Sequence, residues 1–322
     1  MAYPPGIYIT EQLIEEPIKP AIWDKAKIDS LSVASLNQGP IIVFVHGSLD
    51  RGDSFRRVMR RLPEWNLVSY DRRGYQNSRS LSPSVDLHGH IEDLLTICEE
   101  LNEKYTRHIV LIGHSFGGDV VLGAALSKTA VTETVDSVGV FEPPMPWLGF
   151  RRPQIPTIQL SQRVNGPLDG PLDGSSNSSS SNPTEKTASA YDDVESFFIR
   201  MVGQDAWRNL SASAKESRLA DGPALIADLA NLTDDPPFDV TQLSIPSLFG
   251  RGGIRSQEHH RATVEWLFEN VPGASIFEIE AAGHGAHISH PNAFASFVRA
   301  TVAMGAEKLS TASPDTIQRV EK

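Results

Sequence analysis

His-Ile-Val-Leu-Ile-Gly-His-Ser-Phe-Gly-Gly, residues 108–118, reads as a strand that turns sharply into a helix. Ile109 to Ile112 is the short continuous apolar run of a strand buried on both faces, and Asp119 to Leu126 continues with a helical pattern. Ser115 therefore stands on the turn. Gly113, Ser115 and Gly117 fit G-x-S-x-G, the nucleophile elbow, in which a serine is held in strained backbone with its hydroxyl exposed. Without Cβ atoms at Gly113, Gly117 and Gly118, the helix can start against the strand and leave Ser115 in place. The free N–H groups and positive dipole of the helix start favour negative charge at that spot.

Composition bounds the rest. The chain has 322 residues, 40% hydrophobic and 21% charged, with a formal net charge of −11. That suits a globular α/β protein with an insertion and argues against a nucleic-acid or anionic-membrane partner. No apolar run approaches membrane-spanning length and the first residues lack a signal-peptide pattern, so a cytoplasmic protein is expected. One cysteine, Cys98, rules out an internal disulfide. It shares the apolar face of a helix with Ile91, Leu94, Leu95 and Leu101 and reads as core filler.

Upstream, the first forty residues leave room for a leading hairpin, with Leu31 to Leu36 as a strand. Ile41 to Val45 is a buried-strand run ending in His46, Gly47 and Ser48, with a helix expected from Ser54 to Leu62. Arg56, Arg57, Arg60 and Arg61 mark the solvated face of that helix. The strand's sharp end can turn the Ser48 N–H toward Ser115; with the N–H of Phe116 it offers two donors for an oxyanion. Leu67 to Tyr70 is the next strand, and Asp71, Arg72, Arg73 and Gly74 are expected to hold its turn by local hydrogen bonds. Strand and helix alternate from Ile41 to Ser115, which implies a mostly parallel sheet flanked by helices. Ligands bind at the carboxyl ends of such strands, where His46, Ser48, Asp71 and Ser115 fall.

Downstream, Ser137 to Phe141 is a strand stopped by Glu142, Pro143 and Pro144. The sheet pattern returns only about a hundred residues later, too far for a plain loop. Residues 1–142 are thus the first part of the core, 143–242 a cap, 243–304 the second part and 305–322 a flexible tail. Within the cap, the serine-rich region near 166–190 is expected to be disordered. Val194, Phe197, Phe198, Met201 and Val202 form a helical stripe, and Pro223 opens a helix carrying Leu225, Ile226 and Leu229. The aromatics Trp147, Phe150, Phe197, Phe198 and Trp207 are expected mainly to pack the cap's own core. Ile245 to Gly250 and Ser275 to Ile279 are strands separated by a helix from Gln257 to Asn270, and Pro291 to Val302 is a terminal helix. His284 falls just past the last strand, giving the chain order serine, acid, histidine. His284, His287 and His290 have no carboxylate or cysteine pattern beside them, so no metal is expected.

His46-Gly47, Asp71-Arg72-Arg73-Gly74, residues 113–118, Glu142-Pro143-Pro144 and Gly283-His284 together resemble the α/β-hydrolase fold superfamily over roughly Ile41 to Met304. The resemblance implies a central sheet with a helical cap insertion, Ser115 as nucleophile, His284 as base, and hydrolysis of an ester. The implied partner is a small to medium, largely apolar acyl substrate, with no cofactor. The superfamily also contains carbon–carbon hydrolases, cofactor-free perhydrolases and non-catalytic ligand-binding members. Many members place the acid after the strand corresponding to Ile245 to Gly250, but residues 251–255 contain no carboxylate. Other branches place it after the preceding strand, where this chain has Glu142. Glu142 is expected to be the acid, against a bare Ser-His dyad or a carboxylate such as Asp71 from the neighbouring turn.

Overall fold

Apolar runs without polar alternation can be buried on both faces only in the middle of a sheet that carries helices on each side. In the computed structural model the chain is described over residues 8–12, 39–80, 86–105, 108–127, 129, 133–150, 194–253 and 255–312. The elements of the first half are β1 (Tyr8–Gln12), β2 (Ile41–Val45), α1 (Arg56–Met59), β3 (Asn66–Asp71), α2 (Leu87–Tyr105), β4 (Ile109–His114), α3 (Phe116–Leu126) and β5 (Val135–Phe141). After the insertion come β6 (Ser247–Gly252), a helix at Glu258–Asn270, β7 (Ser275–Ile279), a single helical turn at Ala286–Ser289 and a terminal helix at Pro291–Ala312. The strands lie in the order β1-β3-β2-β4-β5-β6-β7, with β1 antiparallel at one edge and all other pairs parallel.

Residue parity divides the core. Ile41, Val43, Val45, Ile109 and Leu111 pack with α2, α3 and the Glu258–Asn270 helix, while Ile42, Phe44, Val110 and Ile112 pack with α1 and the terminal helix. Cys98 is buried in the first of these clusters, and burial pushes its thiol up to about 12. A Cβ on Gly113 would lie 2.6 Å from the Gly117 oxygen and the Gly118 Cα, so only glycine lets α3 start so close to β4.

Within the insertion the described helices are α4 (194–202), α5 (Gln204–Arg208), α6 (Ala212–Ala220) and α7 (Gly222–Asn231). Val194, Phe198, Trp207 and Leu225 form a small core that closes onto Leu49 of the loop after β2. The sequence points to α4 and α7 but not to α5 and α6, whose apolar stripes are thin. Phe198 and Trp207 pack in the cap as expected; Trp147 instead joins the main core, with its ring 5.8 Å from that of Phe238. The tract near 166–190 lies outside the described residues, as does Leu31 to Leu36.

Several boundaries move. The helix expected from Ser54 to Leu62 is a 3₁₀ turn at Gly52–Phe55 followed by α1. Strand β6 starts and ends two residues later than its apolar run suggests: Pro246, which has no N–H to give a ladder, precedes its start, and Arg251 and Gly252 stay paired with Glu278 and Ile279 of β7. The terminal helix runs on to Ala312, so residues 305–312 are helix rather than tail. The turn after β3 is not purely local: Asp71 accepts from Gly52 N and Asn77, but Arg73 reaches Asp93 on α2 and Arg72 reaches Asp228 in the cap. Among the described residues no helix is long and apolar enough to cross a membrane.

Phe297 of the terminal helix is fully buried against the rings of Phe141, Phe277 and Phe294. Phe297→Ala is expected to lower unfolding stability by about 3–5 kcal/mol, through lost transfer energy and the cavity left behind. Urea unfolding checks this; a loss under about 1 kcal/mol would show that the terminal helix is not a main support of the sheet.

Candidate active site

Ser115 has φ 54° and ψ −133°, positive-φ backbone that a residue with a Cβ rarely adopts. Its neighbours hold it there. Its N–H donates to the Phe141 oxygen on β5 at 2.9 Å, and its carbonyl accepts from Gly118 N at 2.6 Å. On the other side β2 runs so close that a Cβ on Gly47 would lie 2.7 Å from the Ser115 Cβ. A Cβ on Gly117 would collide with the Val45 and His46 oxygens. The elbow glycines thus let three strand ends converge on one serine.

Glu142 follows β5 and is also at positive φ, 49°. Its Oε2 lies 2.8 Å from His284 Nδ1, with both side chains buried. Its Oε1 accepts from Gly252 N at 2.7 Å and from Ser256 Oγ at 2.5 Å. Burial opposes ionisation of Glu142, but the His284 hydrogen bond and charge, aided by Ser256 and Gly252, outweigh it and keep the carboxyl below its ordinary range. An ionised carboxylate only accepts, so His284 donates to it from Nδ1, and in the neutral ring that tautomer leaves the lone pair on Nε2. The end of β6 and the loop after it, which lack an acid, thus supply the donors that hold the carboxylate of the neighbouring strand. Asp71, engaged in its own turn, takes no part.

The loop bearing His284 is anchored by His114 Nε2, which donates to the His284 carbonyl at 2.8 Å, and the His260 ring stacks on that of His284 at 4.4 Å. Burial, reinforced by the charges of His287 and His284, keeps His114 well below the ordinary histidine range. Behind it His287 Nε2 lies 3.0 Å from Asp50 Oδ2. Asp50, His114 and His287, and likewise Glu142, His260 and His284, bring ligand-type atoms within 4.8 Å of one another. The fold therefore supplies the carboxylates that the local sequence lacks; His290 belongs to neither group. In each group the carboxylate is hydrogen-bonded to an imidazole.

Two clefts meet at Ser48 and Ser115 beneath α4. One is lined by Pro144, Phe197, Met201, Leu229 and Leu232; the other by Leu49, Phe198, Val202 and Ile288 beside His284. Ser48 and Ser115 thus share both cleft walls, while the Phe116 that opens α3 is buried behind them.

A family model described as the alpha/beta hydrolase family matches residues 42–297. A curated protein of Haemophilus influenzae, provisionally named an esterase/lipase, is 25% identical over 256 residues, covering 79% of each chain. The sn-1-specific diacylglycerol lipase ABHD11 of Xenopus laevis is 25% identical over 264 residues, 80% of this chain and 77% of that one. Among solved structures, an alpha/beta hydrolase from Sphaerobacter thermophilus has a TM-score of 0.60 at 21% identity and covers 92% of this chain and 95% of its own.

Asp50 and Asp228 resemble Glu142 in one respect: burial raises each, but the paired His287 and Arg72 respectively prevail and hold them below the carboxylate range. Carboxyls more acidic in the folded than in the unfolded chain add stability above their unfolded values, and lose it as the pH falls through the folded ones. The urea midpoint is therefore expected to drop steeply from about pH 5 to pH 3, and Glu142→Gln to make that drop shallower. A midpoint flat over this range would contradict the assignment.

Proposed function

The chain belongs to the alpha/beta hydrolase family, and from that premise we propose that it is a carboxylic-ester hydrolase acting through Ser115, His284 and Glu142. The observation that carries this reading is the buried 2.8 Å pair of Glu142 and His284 at the sheet edge where Ser115 stands in strained backbone. The names of the two curated relatives support ester chemistry, and the apolar cleft walls formed by Phe197, Met201, Leu229 and Leu232 support a small to medium, largely apolar acyl group.

In this mechanism Ser115 Oγ attacks the ester carbonyl carbon while its proton passes to His284 Nε2. Glu142 keeps the imidazole in its tautomer and stabilises the imidazolium. The N–H groups of Ser48 and Phe116 receive the oxyanion, each worth about 3–4 kcal/mol in comparable sites. Collapse breaks the carbon–oxygen bond, and the alcohol leaves with the proton from His284. Water then attacks the acyl-enzyme, giving its proton to His284, and the carboxylic acid is released with Ser115 restored.

A fluorophosphonate probe tests this directly, with p-nitrophenyl esters of increasing chain length alongside. Labelling is expected at Ser115 alone and to vanish in Ser115→Ala, while Glu142→Gln lowers kcat by up to about 10⁴ without loss of fold. Absence of labelling and turnover in the folded protein would overturn the reading, and near-normal turnover in Glu142→Gln would move the acid role elsewhere.

A further inference from the structure

Arg72 heads the largest side chains that are fully buried, and a charge so placed needs partners on every side. Its guanidinium grips Asp228 with two hydrogen bonds, 3.1 Å to Oδ1 and 2.6 Å to Oδ2. NH1 also lies 3.4 Å from His90 Nε2 on α2, and the rest of its reach goes to the loop after β2: Nε donates to the His46 oxygen at 2.9 Å and NH2 to the Gly47 oxygen at 3.2 Å. The Arg72 backbone N–H donates to His46 Nε2 at 2.9 Å, so His46 carries its proton on Nδ1 and donates it to the Gly47 oxygen at 2.7 Å. Asp228 Oδ2 also accepts from Ser48 Oγ and Tyr75 OH, both at 2.7 Å.

Peptide planarity turns this into a statement about the reaction. The carbonyl and N–H of a trans peptide point in opposite directions. The Gly47 carbonyl is held by Arg72 and His46, so the Ser48 N–H of the same peptide faces away from them, and Ser115 Oγ would lie 3.2 Å from a Cβ on Gly47. Asp228 completes the clamp from α7, 156 residues after Arg72, in the cap rather than the core.

We propose that Asp228 is a positioning residue for the oxyanion hole, fixing the Gly47–Ser48 peptide through Arg72 and Ser48, so that the hole is complete only with the cap seated. This rests on Ser115 being the nucleophile, which labelling of the unaltered protein establishes independently of Asp228. The deciding variant is Arg72→Met paired with Asp228→Leu, which removes both buried charges together and leaves neither unpaired. Its kcat for a p-nitrophenyl ester and its affinity for a trifluoromethyl ketone, which adds to a serine as an oxyanion, are expected to fall together by about 10²-fold. KM is expected to stay within a factor of about two, as for an interaction made only in the transition state, and the thermal midpoint to be retained. Ser48→Ala, which cuts one leg of the clamp and leaves the ion pair, is expected to lower both quantities about 10-fold. A folded paired variant with the kcat and ketone affinity of the unaltered protein overturns the proposal. Should that variant fail to fold, unchanged values in Ser48→Ala overturn it.

Discussion

Ser115 can stand at φ 54° and ψ −133° only because the surrounding backbone leaves it no alternative, and most of the architecture serves that constraint. Strain of this kind costs about 1–3 kcal/mol and persists where the neighbours over-determine it. Here β4 delivers the serine, β5 receives its N–H, α3 receives its carbonyl within one turn, and the end of β2 blocks the remaining space. Each of these strands is buried on both faces, so none can relax without opening the core.

The same economy extends around the site. The described non-glycine residues at positive φ are Leu49, Gln76, Ser115 and Glu142. Leu49, Ser115 and Glu142 follow β2, β4 and β5, the three adjacent strands whose ends meet at the candidate site, and Gln76 donates its N–H to Asp221 of the cap. Backbone strain is thus concentrated where side chains must be aimed across the sheet edge or toward the cap. The cap in turn seals its small core on Leu49 and sends Asp228 down to Arg72, so the cleft wall and the loop after β2 share one support.

Much of this was legible in the sequence, and the boundary of legibility is physical. The buried runs at Ile41, Leu67, Ile109 and Ser137 revealed strands because a doubly covered sheet tolerates no polar alternation. Ser115 was marked by a turn motif and His284 by chain order, while the proline stop placed Glu142 at the strand's end and only the resemblance to the superfamily suggested it as the acid; the structure puts Glu142 and His284 2.8 Å apart. What failed to appear depended on contacts far along the chain. Ser256 and Gly252, which hold Glu142, are 114 and 110 residues from it, and look like ordinary loop residues. Asp50 and Asp228 carry no local mark of burial; each is made buried and ionised by a partner over a hundred residues away. The first forty residues left room for a leading hairpin but did not mark β1 at Tyr8–Gln12, because one antiparallel edge needs little apolar sequence to pair.

The central claim is that strained backbone aims Ser115 between two fixed N–H groups, and the crystal structure of its phosphonate adduct measures this most directly. The account predicts phosphorus bonded to Ser115 Oγ, with one phosphonyl oxygen about 2.7–3.1 Å from both the Ser48 and Phe116 nitrogens. It also predicts that His284 still shares its Nδ1 proton with Glu142 in that adduct. An adduct on another residue, or a phosphonyl oxygen turned away from both nitrogens, would contradict it.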